Sequence, residues 1–216
     1  MKIAVLGTGM VGNTIASKLI DLGHEVRMGS RTSDNPKGAA WAAEQGERAG
    51  HGSFAEVSAW AETVWNCTMG VHSVAAIEAA GVANLDGKIL VDIANPLDFS
   101  QGFPPSLSIS NTDSLGEAIQ RAAPGAKVVK ALNTINHLVM VDPSRIPGEH
   151  DLLIAGDDAE AKAAVSEWMT GWFGWGQPID VGGIDASRGI EAWLPLWVRL
   201  YGALGTADFN LKIVRA

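Results

Sequence analysis

Apolar positions along the chain alternate between two rhythms. Lys2–Leu6 (KIAVL) is an apolar run of strand length, and it leads into a glycine-rich turn at residues 7–12. Val11, Ile15, Leu19 and Leu22 follow at i, i+4, i+8 and i+11, the stripe of one helix face, which Gly23 ends. Glu25–Met28 predicts a second strand. Residues 32–52, rich in Ala, Gly and polar side chains, predict a loop with a short helix. Thr63–Cys67 predicts a strand, Val71–Ala80 a helix, and Lys88–Ala94 a buried strand ending at Asn95-Pro96. Residues 99–112, rich in Ser and Pro, predict a long surface loop.

The alternation then resumes. Asp113 and Ser114 can cap a helix running to Ala123, and Lys127–Leu132 and Asp151–Ala155 read as strands. Ala161, Val165, Trp168 and Trp172 share one helix face. Ile190, Trp193, Leu194, Trp197, Tyr201 and Leu204 share another, in a last long helix with Pro195 inside it and a kink expected there. Strands alternating with helices imply an α/β fold of Rossmann type: a doubly wound, mostly parallel sheet, here with a small helical C-terminal extension. Residues 1–150 are expected to form the dinucleotide-binding domain. Residues 151–216 are expected to form a strand and helix segment that packs on it and lines a second-substrate cleft. Ligands of such sheets bind beyond the carboxyl ends of the strands, which selects residues 7–12, 29–32, 67–72, 94–97 and 132–137.

Composition narrows the classes. Hydrophobic residues make up 47% and charged residues 19% of 216 positions, enough for a substantial core. No apolar run approaches the roughly 20 residues of a membrane span. A single cysteine, Cys67, and an N-terminus that opens on a strand and not on a leader pattern make a cytoplasmic location the expectation. The formal net charge of −8 argues against nucleic acid or an anionic membrane as a partner. Five of the eight Trp (Trp168, Trp172, Trp175, Trp193 and Trp197) lie in the last quarter. They read as core or dimer-interface packing, or else as the wall of a site for a flat ligand, and a homodimer is expected.

Gly7-Thr8-Gly9-Met10-Val11-Gly12 is GxGxxG placed between a strand and a helix. Gly7 makes the tight turn, Gly9 lets a pyrophosphate approach the backbone, and Gly12 lets helix and strand pack closely. Free N–H groups at the helix start hold the phosphates. The second strand ends on Ser30 and Arg31, with Lys37 beyond, where NAD-binding versions carry an acidic residue. A hydroxyl and two cations there suit the 2′-phosphate of NADP(H). Cys67, Thr68 and Met69, and Asn95 and Pro96, follow the next two strands, on the nicotinamide side. Cys67 reads as a small buried residue, and His72 as a cofactor neighbour or a surface group. Asn133, Thr134, Ile135, Asn136 and His137 follow the strand at 127–132 and read as a substrate-pocket lining, or as turn and cap chemistry. Lys130 reads as structural. No metal-ligand spacing appears, and no catalytic acid, base or nucleophile stands out.

Four motifs together resemble the coenzyme F420-dependent NADP oxidoreductases: GTGMVG after the first strand, GSR after the second, VVKALNTIN, and DASRGIEAWLPLWVRLYGALG near the end. The family is related to the oxidoreductase domain of mammalian metalloreductases, and the resemblance covers nearly the whole chain. It implies hydride transfer between NADPH and a planar acceptor, the deazaflavin F420 or a flavin. It places Thr8–Val11 at the pyrophosphate and Ser30, Arg31 and Lys37 at the 2′-phosphate. Residues 133–137, with Gly202, Leu204 and Gly205, would border the two rings. Archaeal deazaflavin reductases carry His where Asn133 stands and Pro where Asn136 stands. An imine or hydroxyacid reductase of the β-hydroxyacid type would need a longer helical C-terminal domain than residues 156–216 supply. A non-catalytic NADP(H) sensor would show the same cofactor motifs.

Overall fold

The computed structural model of the chain describes residues 1–215. Strand β1 (Lys2–Leu6) places Ile3 and Val5 in one apolar cluster and Ala4 and Leu6 in another. Both faces are covered, as an apolar run without polar alternation requires. Next come α1 (Met10–Asp21), β2 (Glu25–Ser30), α2 (Pro36–Gln45), β3 (Ala49–Ser53), α3 (Phe54–Trp60) and β4 (Thr63–Asn66). They are followed by α4 (Gly70–Ala80), α5 (Val82–Leu85), β5 (Ile89–Asp92), β6 (Leu97–Asp98), β7 (Ser106–Leu107) and α6 (Leu115–Ala122). The remainder is β8 (Lys127–Ala131), α7 (His137–Val141), β9 (Leu153–Gly156), α8 (Ala159–Phe173), β10 (Ile179–Asp180), α9 (Ser187–Ala192) and α10 (Leu194–Leu204).

Eight strands form one sheet in the order β10-β9-β8-β5-β4-β1-β2-β3, the Rossmann arrangement extended at one edge. From β3 to β8 every pairing is parallel, whereas β9 runs antiparallel to β8 and β10 parallel to β9. Ile15 and Leu19 of α1, Trp41 of α2, Val139 of α7 and Val165 and Met169 of α8 cover one face. Phe54 and Val57 of α3, Ile77 of α4 and Leu115 and Ile119 of α6 cover the other. The strand order reverses between β1 and β4, and the crevice that this opens lies beyond their carboxyl ends.

Two expectations are corrected. The segment expected as a loop with a short helix contains α2, ten residues capped by Asn35, and the strand β3. Strand β3 (AGHGS) has no β-branched or large apolar residue; it exists because β2 offers it an open edge, paired from Val26↔Ala49 to Ser30↔Ser53. The expected long last helix is two helices, α9 and α10, with Trp193 between them. Pro195 lies in the first turn of α10 and kinks nothing, because a first-turn residue needs no amide hydrogen. The apolar stripe across both helices is correspondingly not one buried face: Ile190 and Leu194 are buried, while Tyr201 and Leu204 are exposed.

Candidate functional site

The three glycines of the first turn have different surroundings. Gly7 has φ +111, and a Cβ there would lie 2.8 Å from the Cys67 carbonyl oxygen. A Cβ on Gly12 would collide with the carbonyl oxygen of Gly7, so helix, turn and β4 are in contact only because both residues lack side chains. Gly9, the N-cap of α1, has no heavy atom within 4 Å of its Cβ position and no side chain capping the helix. The first-turn N–H groups of α1 therefore face open space, with the positive end of the helix dipole behind them.

On one side of this turn lies a cleft of about 580 Å³, lined by Gly7, Thr8, Gly9, Arg31, Phe54 and His72 and floored by Cys67, Thr68 and Met69. Arg31 is exposed there. Ser30 is buried at the end of β2, and its hydroxyl donates to the Thr32 carbonyl at 2.6 Å. Lys37 does not share the Arg31 cleft; it borders a separate groove over the glycine turn with Asn13, Thr14 and His137.

The strand ends beyond the turn are held by a buried polar chain. Thr68 Oγ1 donates to Asn66 Oδ1 at 2.6 Å, and Asn66 Nδ2 donates to Asp92 Oδ1 at 2.9 Å. Lys130 Nζ, fully buried, pairs with Asp92 at 2.6 Å and Glu191 at 2.8 Å and donates to the Ala94 carbonyl at 2.7 Å. Burial alone would lower the Lys130 pKa, but the two carboxylates outweigh it and hold the ammonium above its ordinary value. Glu191 also accepts the Leu115 and Gly116 N–H groups at 2.8 and 3.0 Å, at the start of α6. Lys130 is thus a structural tie between the sheet and the C-terminal helices. Burial, with the Asp92 carboxylate adding to it, pushes the half-buried Cys67 thiol far up, so it is no thiolate nucleophile at neutral pH.

One strand further, Leu132 takes φ +63 while fully buried. A branched residue pays roughly 1–2 kcal/mol for that conformation, which turns the chain sharply out of β8. Asn133 follows. Its Nδ2 donates to Asn95 Oδ1 at 2.9 Å, and Asn95 Nδ2 donates back to the Asn133 carbonyl at 2.7 Å. Asn136 caps α7 by accepting from the Leu138 N–H at 3.0 Å. His137 Nδ1 lies 2.8 Å from Thr14 Oγ1, joining α7 to α1. Burial, and then the nearby Arg145, lower the His137 pKa below 6.5.

A second cleft, of about 410 Å³, opens above these strand ends. It meets the first cleft at Cys67, Thr68 and Met69, which line both. Met10, Val11, Asn95, Asn133, Ile135, Asn136 and His137 of the expected site belong to it; Pro96 and Thr134 do not. Its far wall is Leu194, Trp197, Val198 and Tyr201, and the expected Gly202, Leu204 and Gly205 lie outside the lining. Trp197 is stacked between Tyr201 and Phe209, at centroid distances of 5.8 and 5.1 Å. Trp168 and Trp172 instead stack on Trp65 in the interior. The segment expected only as a surface loop supplies the rim with Phe99, Phe103 and Pro105. Two exposed phenylalanines in a Ser- and Pro-rich stretch were the signal for that role. Among the described residues there is no cluster of three or more His, Cys, Asp or Glu placed to hold a metal, and no helix long and apolar enough to cross a membrane.

Residues 2–96 match the profile described as NADP oxidoreductase coenzyme F420-dependent. The chain is 32% identical over 210 residues to the F420-dependent NADP reductase of Methanothermobacter marburgensis, covering 93% of this chain and 92% of that protein. It is 30% identical over 204 residues to the rat Metalloreductase STEAP3, covering 91% of this chain but only 38% of the metalloreductase. Its structure matches a crystal structure of a candidate F420-dependent NADP reductase from Arthrobacter sp. FB24 over the whole of both chains, at 53% identity and a TM-score of 0.93.

Proposed function

Because the chain belongs to the coenzyme F420-dependent NADP oxidoreductase family, we propose that it is an NADP-dependent oxidoreductase exchanging hydride with a planar acceptor, a deazaflavin or flavin. The observation that carries this reading is the meeting of two clefts at Cys67, Thr68 and Met69, one beside the glycine turn and one above the strand ends. The open space over Gly9 and the free N–H groups of α1 fit a pyrophosphate, spanned by Thr8, Met10 and Val11. Arg31, exposed in the first cleft, would pair with the 2′-phosphate, and Ser30 would join once its hydroxyl leaves Thr32; Lys37 stands in the neighbouring groove over the glycine turn. Cys67, Thr68, Met69 and Asn95 border the nicotinamide, and Pro96, outside both linings, does not.

Bound NADPH supplies the hydride. The chain's part is to hold two rings face to face and keep water away, which ring-to-ring transfer needs more than a strong acid or base. Asn95 and Asn133 lock the floor by their reciprocal bonds, and Trp197, Val198 and Tyr201 close the far side. The exposed Leu196 and Leu204 of α10 support a homodimer, whose mass sedimentation velocity would measure. The cofactor assignment is tested by Arg31→Ala. NADPH affinity should fall on the order of tenfold, the loss of one charge-assisted contact, with NADH affinity unchanged. Equal losses for both dinucleotides would remove Arg31 from the 2′-phosphate.

A further inference from the structure

We infer that Phe209 is a positioning residue for the hydride acceptor, and that residues 208–213 form a strap which fixes Trp197 in the wall of the second cleft. This rests on the oxidoreductase reading above and names residues that set acceptor binding from outside the site. None of residues 208–213 lines the cleft.

The first observation is how little else holds the wall. Of the eleven residues of α10, only Leu194 and Val198 are buried. The Trp197 indole N–H has no hydrogen-bond partner among the described residues, so no polar contact of the ring fixes its orientation. Stacking does so instead. Tyr201, one turn further along the same helix, lies 5.8 Å away at 9°, and Phe209 lies 5.1 Å away at 29°. Tyr201 is exposed and belongs to the same helix. Phe209 is half-buried and comes from outside it, so of these two partners it is the one that ties the indole to the rest of the chain.

The second observation is how firmly Phe209 itself is held. Gly205, at φ +66, ends α10, and the chain then turns back along residues 145–151, ahead of β9. On one side of Phe209, Asp208 pairs with Arg145 at 3.0 Å. On the other, Asn210 Nδ2 donates to the Asp151 carbonyl at 2.9 Å and lies 3.0 Å from His150 Nδ1. His150 Nε2 lies 3.0 Å from the Pro143 carbonyl, which requires the proton on Nε2 and leaves Nδ1 to accept from Asn210 in the neutral ring. The Asp151 N–H donates to the Leu211 carbonyl at 3.0 Å, and the Ile213 N–H donates to the Asp151 carboxylate. Lys212 lies 3.3 Å from both Glu149 and Asp151. Exposed ion pairs contribute little singly, so the backbone and amide bonds fix the register of the strap. A wall that must meet a flat ring needs one orientation of its indole. Without Phe209 the acceptor would have to order that side chain as it binds, which weakens binding and leaves transfer within the bound complex unchanged.

The test is steady-state NADPH oxidation with coenzyme F420 and with FMN, alongside calorimetric titration with NADPH. Phe209→Ala should raise the acceptor KM by about three- to tenfold, the range of an aromatic pair, with kcat and the NADPH Kd within about twofold. Phe209→Tyr should restore the parental KM. Asp208→Ala combined with Asn210→Ala, which leaves Phe209 in place, should raise KM by a smaller factor. It should also speed amide hydrogen exchange in residues 194–204 while β1, β4 and β8 exchange as in the parent. A parental acceptor KM in both variants, a KM and NADPH Kd that rise together, or faster exchange throughout the sheet would overturn the strap and leave the oxidoreductase reading standing. Wild-type protein that binds NADPH but oxidises it with neither acceptor would overturn that reading, and the role of Phe209 with it.

Discussion

Replacing Gly9 and Gly12 by alanine, one at a time, separates the ligand-facing part of the turn from its structural part. Gly9 has φ −83 and ψ −174, an extended conformation open to any residue, and nothing lies within 4 Å of its Cβ position. Alanine there loses some N-cap preference but also reduces the entropy of the unfolded chain; both effects are below about 1 kcal/mol and they oppose. The melting temperature should therefore stay within about 3 °C of the parent. At Gly12 the added methyl meets the Gly7 carbonyl oxygen, a backbone atom that cannot swing aside. Overpacking of that kind costs about 1–3 kcal/mol, or a fall of roughly 3–10 °C in a chain of this length. Binding should divide the other way. The Gly9 methyl would stand over the free N–H groups of α1 and displace the pyrophosphate from one or two charge-assisted bonds. The NADPH Kd should then rise on the order of 10- to 100-fold. Calorimetric titration and thermal melts on the two variants decide it. Parental NADPH affinity in Gly9→Ala, or a melting loss equal to that of Gly12→Ala, would refute the assignment of Gly9 to the phosphates.

Lys130→Met should cost about 3–5 kcal/mol in urea unfolding, because it leaves Asp92 and Glu191 buried without their cation. Adding Glu191→Gln to it should cost much less than the two single changes summed, and strict additivity would show that the three groups do not act together. Val198→Trp should fill the second cleft and abolish turnover with ring acceptors, while NADPH affinity measured by fluorescence quenching stays within about threefold, as expected for a wall remote from the phosphates. Stability should fall as the pH drops through about 6.5, since the unfolded chain protonates His24 and His137 before the folded chain does. His137→Gln should flatten that part of the curve, and an unchanged slope would mean His137 is not held neutral.

The strand and helix periods, read along the chain, determined the sheet, because a parallel sheet buried on both faces writes apolar runs without polar alternation, such as IAVL in β1 and ILV in β5. The glycine turn was equally legible from its spacing after a strand, although only Gly12 answers a steric demand inside the turn, at the Gly7 carbonyl oxygen; Gly7 is held small by distant Cys67, and Gly9 faces open space. Asn95, Asn133 and His137 were located by rule, as residues just beyond strand ends. What the sequence left open depended on distant partners. Strand β3 has no strand-forming residues and is held by the edge of β2. Lys130 sits in an apolar run, and only Glu191, arriving from a helix sixty-one positions later, completes the pairing that lets its charge be buried. The far wall of the second cleft was expected at Gly202, Leu204 and Gly205 but is formed by Leu194, Trp197, Val198 and Tyr201. A break at Trp193 restarts the helix and sets which of its faces turns toward the strand ends, and a helix face is fixed by what it packs against, which no local period records.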